Sequence, residues 1–412
     1  MEPITNRQGL IDGLRKAATL EHQVICRYLY AAFSLKSRCE EGGVSRLQLE
    51  TVREWRASLF RVAREEMGHL GLVCNLLTSV GSPAYFEPPR RRGSKLGLRP
   101  FSMNLLGEFI RIEREHDPAG QAGSIGAQYA RLRRGFESVA RSNPLLFVGA
   151  PKAQVENESL ELPPGWFNIN LHAVLDAPSA ASAIDLILEE SGGSDEAAHA
   201  EEFEAVRRSY SELLDAGPAF DPVRDMAEDP SLGEHDMAIT HPVTRRAAEL
   251  FNEAYEVMLM LMLRFYVPAS ESDEERDVLQ KTAFFPLMTM VLRPLGELLA
   301  VMPLSEAYEA RAAASGAPRY VAAGPTFECR PELALPVETL GAWTLLQERL
   351  DELDHRCAGL AAAVERSEET WSRSVQERTA FLSRNLQGIA SDFRRRMNTE
   401  SIHVRHVLKA LL

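Results

Sequence analysis

The sequence lacks the features that mark secreted and membrane-spanning proteins. Its five cysteines include no CxxC pair, and an odd number spread over 412 residues argues against a disulfide framework. No apolar run reaches the roughly 18 to 20 residues that a membrane-spanning helix needs. Residues 1–15 also lack the apolar core of a signal peptide. We therefore expect a cytoplasmic protein with reduced thiols and no membrane partner.

Basic charge is scarce as well. The chain has 59 Asp and Glu residues against 46 Lys and Arg residues, which gives a net charge of -13. A surface with this balance repels a phosphate backbone, so we expect no nucleic-acid partner. The sequence also contains no P-loop, no GxGxxG or GxSxG motif and no cysteine array typical of a zinc site.

What the sequence does contain is helical periodicity. Apolar residues recur at three- and four-residue spacing in many segments, and the composition of 45% hydrophobic and 25% charged residues is typical of a globular protein. We predict an all-α fold, a four-helix bundle with added helices and irregular loops. Helices are expected at about 6–36, 45–80, 104–115, 124–141, 181–190, 195–214, 244–266, 274–301 and 337–366, and from there toward the C-terminus. A short strand pair is expected between residues 143 and 180.

The predicted domain organisation has a large first part and a small second one. Residues 1–335 are assigned to a metal-binding bundle with long inserted loops, and residues 336–412 to a C-terminal helical segment. This segment carries a heptad-like apolar seam, which favours pairing either inside the chain or with a second subunit. The seam predicts a homodimer through the C-terminal helices. Its residues are Leu346, Leu350, Leu353, Cys357, Leu360 and Val364.

The strongest local signal for chemistry is the E-x-x-H motif of Glu66 and His69. Both residues fall on the apolar stripe of the second helix, in the gap between Val62 and Val73. Residues three apart share one helix face, so a carboxylate and an imidazole at this spacing can reach one metal ion. The competing interpretation is that either residue pairs with an arginine or bonds to a backbone carbonyl.

Glu21 strengthens the metal interpretation. It lies on the inward stripe of the first helix, and the first two helices are long enough to form an antiparallel pair with Glu21 opposite Glu66 and His69. One glutamate followed by an E-x-x-H motif on the next helix is half of the ligand set of a carboxylate-bridged di-iron bundle. The other half is expected downstream.

The candidate second half is Glu189 or Glu190 followed by a second E-x-x-H motif, Glu196 and His199. His199 shares a helix face with Phe203, which favours His199 as a ligand, whereas Glu190 only leans toward an apolar face. Glu196 also fits the ordinary preference of a helix N-terminus for acidic residues. Six residues thus form the predicted metal set: Glu21, Glu66, His69, Glu190, Glu196 and His199.

These motifs resemble a known family. The stretches LRKAATLEHQVICRYLYAAFSL, AREEMGHLGLVCNLLTSVGSPAYFEPP, FIRIERE, SIGAQYARLRRGF, LFVGAPKAQV, AIDLILEESGGSDEAAHAEEF, LFNEAYEVMLMLM and AGPTFE occur in order between about residues 8 and 330. They are similar to the ferritin-like domain of the iminophenyl-pyruvate dimer synthase type, which is found in violacein-pathway and rebeccamycin-pathway enzymes. The resemblance implies a ferritin-like fold with metal ligands at Glu21, Glu66, His69 and His199. It also implies the oxidative coupling of two amino-acid-derived imines.

Two positions depart from the family pattern. The family usually reads QGEG where this chain has Glu190-Ser191-Gly192-Gly193, and Ala127 stands where an acidic residue is expected. Fewer carboxylates imply one metal ion, or two with a weaker second position.

The sequence therefore predicts a non-haem iron oxidase or oxygenase of bacterial secondary metabolism. Its iron site is mononuclear or di-iron, O2 is the co-substrate, and the small-molecule substrate is an amino acid or its imine or 2-oxo acid derivative. The alternative is a ferritin-like protein that binds or stores metal without catalysis. A third interpretation is a scaffold that has lost its metal.

Overall fold

The computed structural model describes residues 3–87, 89–114, 125–157, 171–192, 199–215, 220–233, 236–267, 271–306, 321–330, 335–367 and 372–398. These ranges contain helices and isolated β-bridges but no β-strand, which confirms the predicted all-α class. No helix among them is both long and apolar enough to cross a lipid bilayer. The contacts divide the chain into a first unit, Met1–Glu87 with Arg99–Arg224, and a second unit, Pro88–Leu98 with Asp225–Leu412.

The first unit is a bundle of helices around an α-hairpin. Its helices are α1 (Arg7–Ser34), α2 (Arg46–Ser79), α3 (Met103–Arg114), α4 (Ile125–Ser142), α5 (Ala177–Gly192) and α6 (His199–Asp215). The first two helices have the most extensive contact in the chain, α3 packs on α6, and α4 packs on α1 and α5. Polar side chains cap the hairpin helices: Asn6 accepts from the Gly9 amide, and Ser45 forms a capping box with Gln48.

An aromatic cluster joins α1, α3 and α6. The Tyr28 ring on α1 lies edge-on to Phe109 of α3 at 4.5 Å between centroids and to Phe203 of α6 at 5.1 Å. All three side chains are buried in one continuous apolar core. Rings at these distances and angles contribute packing and quadrupole attraction together, so the cluster fixes the three helices around a common centre.

The strand pair predicted between residues 143 and 180 is absent from the described parts of that segment, and the prediction is wrong there. Two amide side chains make the hydrogen bonds that a partner strand would make. Gln154 exchanges two bonds with the backbone of Val174, at 2.9 and 2.6 Å. Asn75 of α2 accepts from the Val155 amide at 2.9 Å and donates to the carbonyls of Val155 and His172, at 2.8 and 2.9 Å. The backbone is thereby satisfied without a ladder.

The second unit contains the remaining helices. These are α7 (Pro242–Phe265), α8 (Asp273–Val278), α9 (Phe285–Leu287), α10 (Arg293–Leu299), α11 (Thr339–Glu365) and α12 (Ser372–Asn398). Two π-helical segments, Leu279–Phe284 and Met288–Leu292, connect α8, α9 and α10 into one winding stretch. Pro286 and Pro294 lie near the starts of α9 and α10. The helical path therefore continues past both prolines, because the π-turns accommodate residues that cannot donate to the helix.

The C-terminal helices are integrated into the second unit. The apolar seam of α11 is buried, and α11 packs on both α12 and α7. The division between the units follows Arg224, whereas the sequence analysis places a boundary after residue 335. The two divisions differ because α11 shares a core with α7, a contact between residues far apart in sequence. The homodimer through the C-terminal helices stays a prediction.

Replacement of Asn75 by alanine tests the amide clamp. The substitution leaves buried groups of Val155 and His172 without their partner, so we expect a loss of about 2 to 4 kcal/mol in the free energy of unfolding. Urea denaturation followed by circular dichroism measures it. The matched control is Asn385→Ala, which removes a solvent-exposed hydrogen bond to the Met290 carbonyl, 3.0 Å long, and should cost less than about 0.5 kcal/mol. Equal losses in the two variants would contradict the clamp.

Candidate metal centre

Four of the predicted metal ligands meet in the interior of the first unit. Together with Glu113, which was not predicted, they form two groups of potential ligands, each with its donor atoms within 4.8 Å of one another. The first group is Glu21, Glu66 and His69, and the second is Glu66, Glu113 and His199. All five side chains are buried, with exposures between 0% for His69 and 5% for Glu113.

Glu66 is common to both groups and presents one carboxylate oxygen to each. Its Oε2 lies 2.8 Å from Nδ1 of His69, and its Oε1 lies 2.8 Å from Nδ1 of His199. Glu113 approaches the same His199 nitrogen at 3.5 Å. A carboxylate whose two oxygens face two different ligand sets could serve as a ligand in both sets.

Helix geometry explains this convergence. On α2 the buried stripe runs through Val62, Glu66, His69 and Val73, so the polar pair replaces two apolar residues of the core face. The α1–α2 hairpin brings Glu21 against that pair. The remaining ligand candidates come from α3 and α6, which pack on each other. Four helices thus each contribute inward-facing polar side chains, as ligand sites in helical bundles do.

Two buried tyrosines hold the outer carboxylates. The Tyr129 hydroxyl on α4 donates to Glu21, and the Tyr28 hydroxyl on α1 donates to Glu113. Burial and the neighbouring carboxylates raise the pKa of both phenols well above the ordinary value, so each hydroxyl keeps its proton. The carboxylate that each ligand group does not share, Glu21 in the first and Glu113 in the second, therefore accepts a hydrogen bond from a buried tyrosine.

The electrostatics divide the glutamates into two classes. Burial, reinforced by the Glu66 charge, raises the pKa of Glu21 and of Glu113. Burial also opposes the charge of Glu66, but the adjacent His69 and His199 outweigh it and lower its pKa well below the ordinary value. The His199 pKa is raised despite burial, because carboxylates surround it. Without a cation this cluster has to take up protons to compensate its negative charge.

One atom points specifically to a cation. Nδ1 of His199 is fully buried and makes no hydrogen bond within the described part of the chain, although carboxylate oxygens of Glu66 and Glu113 lie nearby. In the first group Nδ1 of His69 and Oε2 of Glu66 form a hydrogen bond of 2.8 Å. In the second group the carboxylate oxygens converge on Nδ1 of His199 without satisfying it, which is costly unless a cation is bound there. The residues therefore fit a metal of mixed nitrogen and oxygen ligation.

The downstream carboxylates of the prediction are not brought into this cluster by the described residues. Glu189 is exposed on α5. Glu190 belongs to the same helix, but its side chain is not among those described, and Glu196 lies outside the described residues. For these two positions the prediction stays a prediction.

Sequence reasoning missed Glu113. It extends the apolar stripe of α3 that contains Leu106 and Phe109, at spacings of three and four residues, and this stripe is a readable signal. His116 follows Glu113 at E-x-x-H spacing, which is a second readable signal, and His116 itself lies outside the described residues. Glu65 was also missed: its carboxylate lies 3.1 Å from Nε2 of His199, a residue 134 positions away.

Comparison with known proteins agrees with the predicted fold class. Residues 14–212 match the ferritin-like family model. A protein of Chromobacterium violaceum named 2-imino-3-(indol-3-yl)propanoate dimerase is 28% identical over 73% of this chain and 33% of its own length. The dichlorochromopyrrolate synthase of Lentzea aerocolonigenes is also 28% identical, over 73% of this chain and 35% of its own. These matches confirm the resemblance indicated by the sequence motifs.

This chain thus spans about a third of the length of both curated relatives. Among solved structures, a ferritin-like protein from Caulobacter vibrioides is 19% identical and covers 68% of this chain and 96% of its own, with a TM-score of 0.44.

The pKa shifts predict how cation binding depends on pH. Raised values for Glu21, Glu113 and His199 mean that the metal-free fold holds protons that the unfolded chain releases, so its stability falls as pH rises above the ordinary values. A cation replaces these protons. The increase in melting temperature caused by Co²⁺ should therefore grow between about pH 5 and about pH 8.

Scanning calorimetry with and without Co²⁺ measures this increment. The lowered pKa of Glu66 acts in the opposite direction, but only below that carboxyl's ordinary range, outside the window tested. Glu66→Ala is the control and should abolish the growth of the increment with pH. An increment in the unmodified protein that shrinks as pH rises would contradict the account.

Proposed function

We propose that this chain binds two metal ions at the two ligand groups that share Glu66, and that iron is the working metal, since residues 14–212 match the ferritin-like family model. The observation that carries the proposal is the placement of the Glu66 oxygens, one against His69 and the other against His199. The pairing of an imidazole with carboxylates in each group suits non-haem iron. Iron bound in such a site supplies the capacity to react with O2 and to withdraw electrons from a substrate.

The chain's own residues hold and shield this centre. Tyr129 and Tyr28 orient Glu21 and Glu113 by donating hydroxyl hydrogens to them. Phe109 and Phe203 pack around Tyr28, so one wall of the centre is apolar. A dry wall strengthens each electrostatic contact inside it and keeps bulk water from the ligands.

The proposed reaction is the oxidation of an amino acid or its imine or 2-oxo acid derivative, with O2 as co-substrate, in bacterial secondary metabolism. Support comes from the two curated relatives, one named as a dimerase of an imino acid and the other as a synthase. Oxidative coupling of two amino-acid-derived imines is the specific form we propose. Since the aligned region is about a third of each relative, the substrate has to be tested on this chain directly.

Substitution of single ligands tests the shared glutamate. Glu66→Ala removes a ligand from both groups and should abolish binding of both metal ions. Glu21→Ala and Glu113→Ala each affect one group and should leave about one ion per chain. Metal content by mass spectrometry after anaerobic loading with Fe²⁺ measures the ratios. Glu189→Ala, an exposed glutamate on α5, is the matched control and should bind as the unmodified protein does.

Loss of a single ion in Glu66→Ala would show that Glu66 is not shared. Many irons per chain in the unmodified protein, retained by these variants, would favour storage over catalysis.

An assay with imino acids tests the reaction. An amino-acid oxidase generates imines in the reaction mixture from a panel of amino acids. Liquid chromatography with mass spectrometry then detects coupled products. We expect a dimeric product and substrate-dependent O2 uptake with the iron-loaded protein, and neither with Glu66→Ala after the same iron treatment, since that variant should not bind the metal ions. O2 uptake that is independent of every substrate in the panel would argue for iron oxidation alone.

A further inference from the structure

Outside the two ligand groups, a buried carboxylate contacts the far side of His199. Glu65 is 3% exposed, and its Oε2 lies 3.1 Å from Nε2 of His199. The opposite ring nitrogen, Nδ1, faces Glu66 and Glu113. His199 therefore lies between Glu65 on one side and the candidate metal ligands on the other.

The contact determines which ring nitrogen can bind a metal. A neutral imidazole that donates its Nε2 hydrogen to a carboxylate carries its lone pair on Nδ1. In His199 that lone pair points into the second ligand group, where Nδ1 makes no hydrogen bond. Glu65 thus matches the carboxylate partners that fix the tautomer and the orientation of metal-binding histidines.

Glu65 is in turn contacted by Arg61, a residue that reaches the protein surface. Arg61, one helical turn earlier on α2, contacts both oxygens of Glu65 at 3.4 and 3.5 Å. The same guanidinium bonds to Glu202 on α6, three residues beyond His199. The Arg61 side chain is 40% exposed, so it reaches the solvent that Glu65 does not. One arginine thereby ties α2 to α6 beside the histidine that α6 contributes.

We propose that Arg61 and Glu65 are positioning residues that hold His199 with Nδ1 directed at the second metal position. The proposal rests on the proposed function, because it requires a metal there. It extends that function outward by two layers of side chains, to a residue in contact with solvent. Carboxylate partners of this kind typically change metal affinity about 10- to 100-fold when removed.

The experiment is a Co²⁺ titration of the full chain, followed by the visible absorption bands of the bound ion. Glu65→Ala should weaken one of the two binding events about 10- to 100-fold and shift the corresponding bands, because His199 is no longer oriented. Glu65→Gln keeps an oxygen that accepts from Nε2 and should recover most of the affinity. Arg61→Met should act in the same direction as Glu65→Ala but less strongly.

Glu54→Ala, an exposed glutamate on the same helix, is the matched control and should titrate as the unmodified protein does. The melting temperature of each metal-free variant separates positioning from folding, since a purely structural role lowers it without moving the bands. If Glu65→Ala does not fold, the positions of the Co²⁺ absorption bands in Glu65→Gln and Arg61→Met test the positioning role instead.

Wild-type affinity and bands in Glu65→Ala would overturn the positioning role and leave the metal centre standing. A Glu65→Gln variant as impaired as Glu65→Ala would overturn the hydrogen-bond role of Glu65. An unmodified protein that binds no Co²⁺ would contradict the proposed function, and this proposal with it.

Discussion

The burial of acidic side chains around Glu66 is the constraint on which the first unit depends. Charges in an apolar interior cost several kcal/mol each unless they are paired, and here three glutamates face two histidines within a few ångströms. The histidines compensate only Glu66, whose pKa they lower, whereas Glu21 and Glu113 have raised values. Cations that satisfy all three carboxylates together remove this conflict, so the fold and the proposed metal content explain each other.

The bundle supports this arrangement from several directions. The α1–α2 hairpin supplies Glu21, Glu66 and His69 from one local unit, and the aromatic cluster around Tyr28 brings α3 and α6 to the same place. Tyr28 takes part in both tasks, since its ring packs in the core and its hydroxyl bonds to Glu113. Loss of packing in this cluster would therefore disturb the centre as well as the fold.

Local patterns in the sequence were sufficient to predict the all-α fold and four side chains of the centre. Glu21, Glu66, His69 and His199 are readable because each interrupts an apolar stripe at helical spacing. Glu113 carries the same signal and is followed by His116 at E-x-x-H spacing, so both of these local patterns mark this position as well. Periodicity exposes a residue that faces inward, whatever partner it meets there.

Other features depend on contacts that no local pattern contains. Glu65 is adjacent to Glu66, and only the position of His199, on a helix far along the chain, shows what its burial accomplishes. In the described parts of residues 143–180 no strand forms, because Asn75 and Gln154 provide the hydrogen bonds through side chains. The apolar seam of α11 fits pairing within the chain as well as pairing with a second subunit. Its packing on α7 and α12 shows the pairing within the chain.

The most direct test of the account is anomalous X-ray diffraction at the iron absorption edge from crystals of the iron-loaded protein. We expect two anomalous peaks, one on each side of the Glu66 carboxylate. One peak would have His69 and Glu21 as neighbours, and the other would have His199 and Glu113. Iron bound elsewhere in the chain, with no anomalous peak beside Glu66, would contradict it.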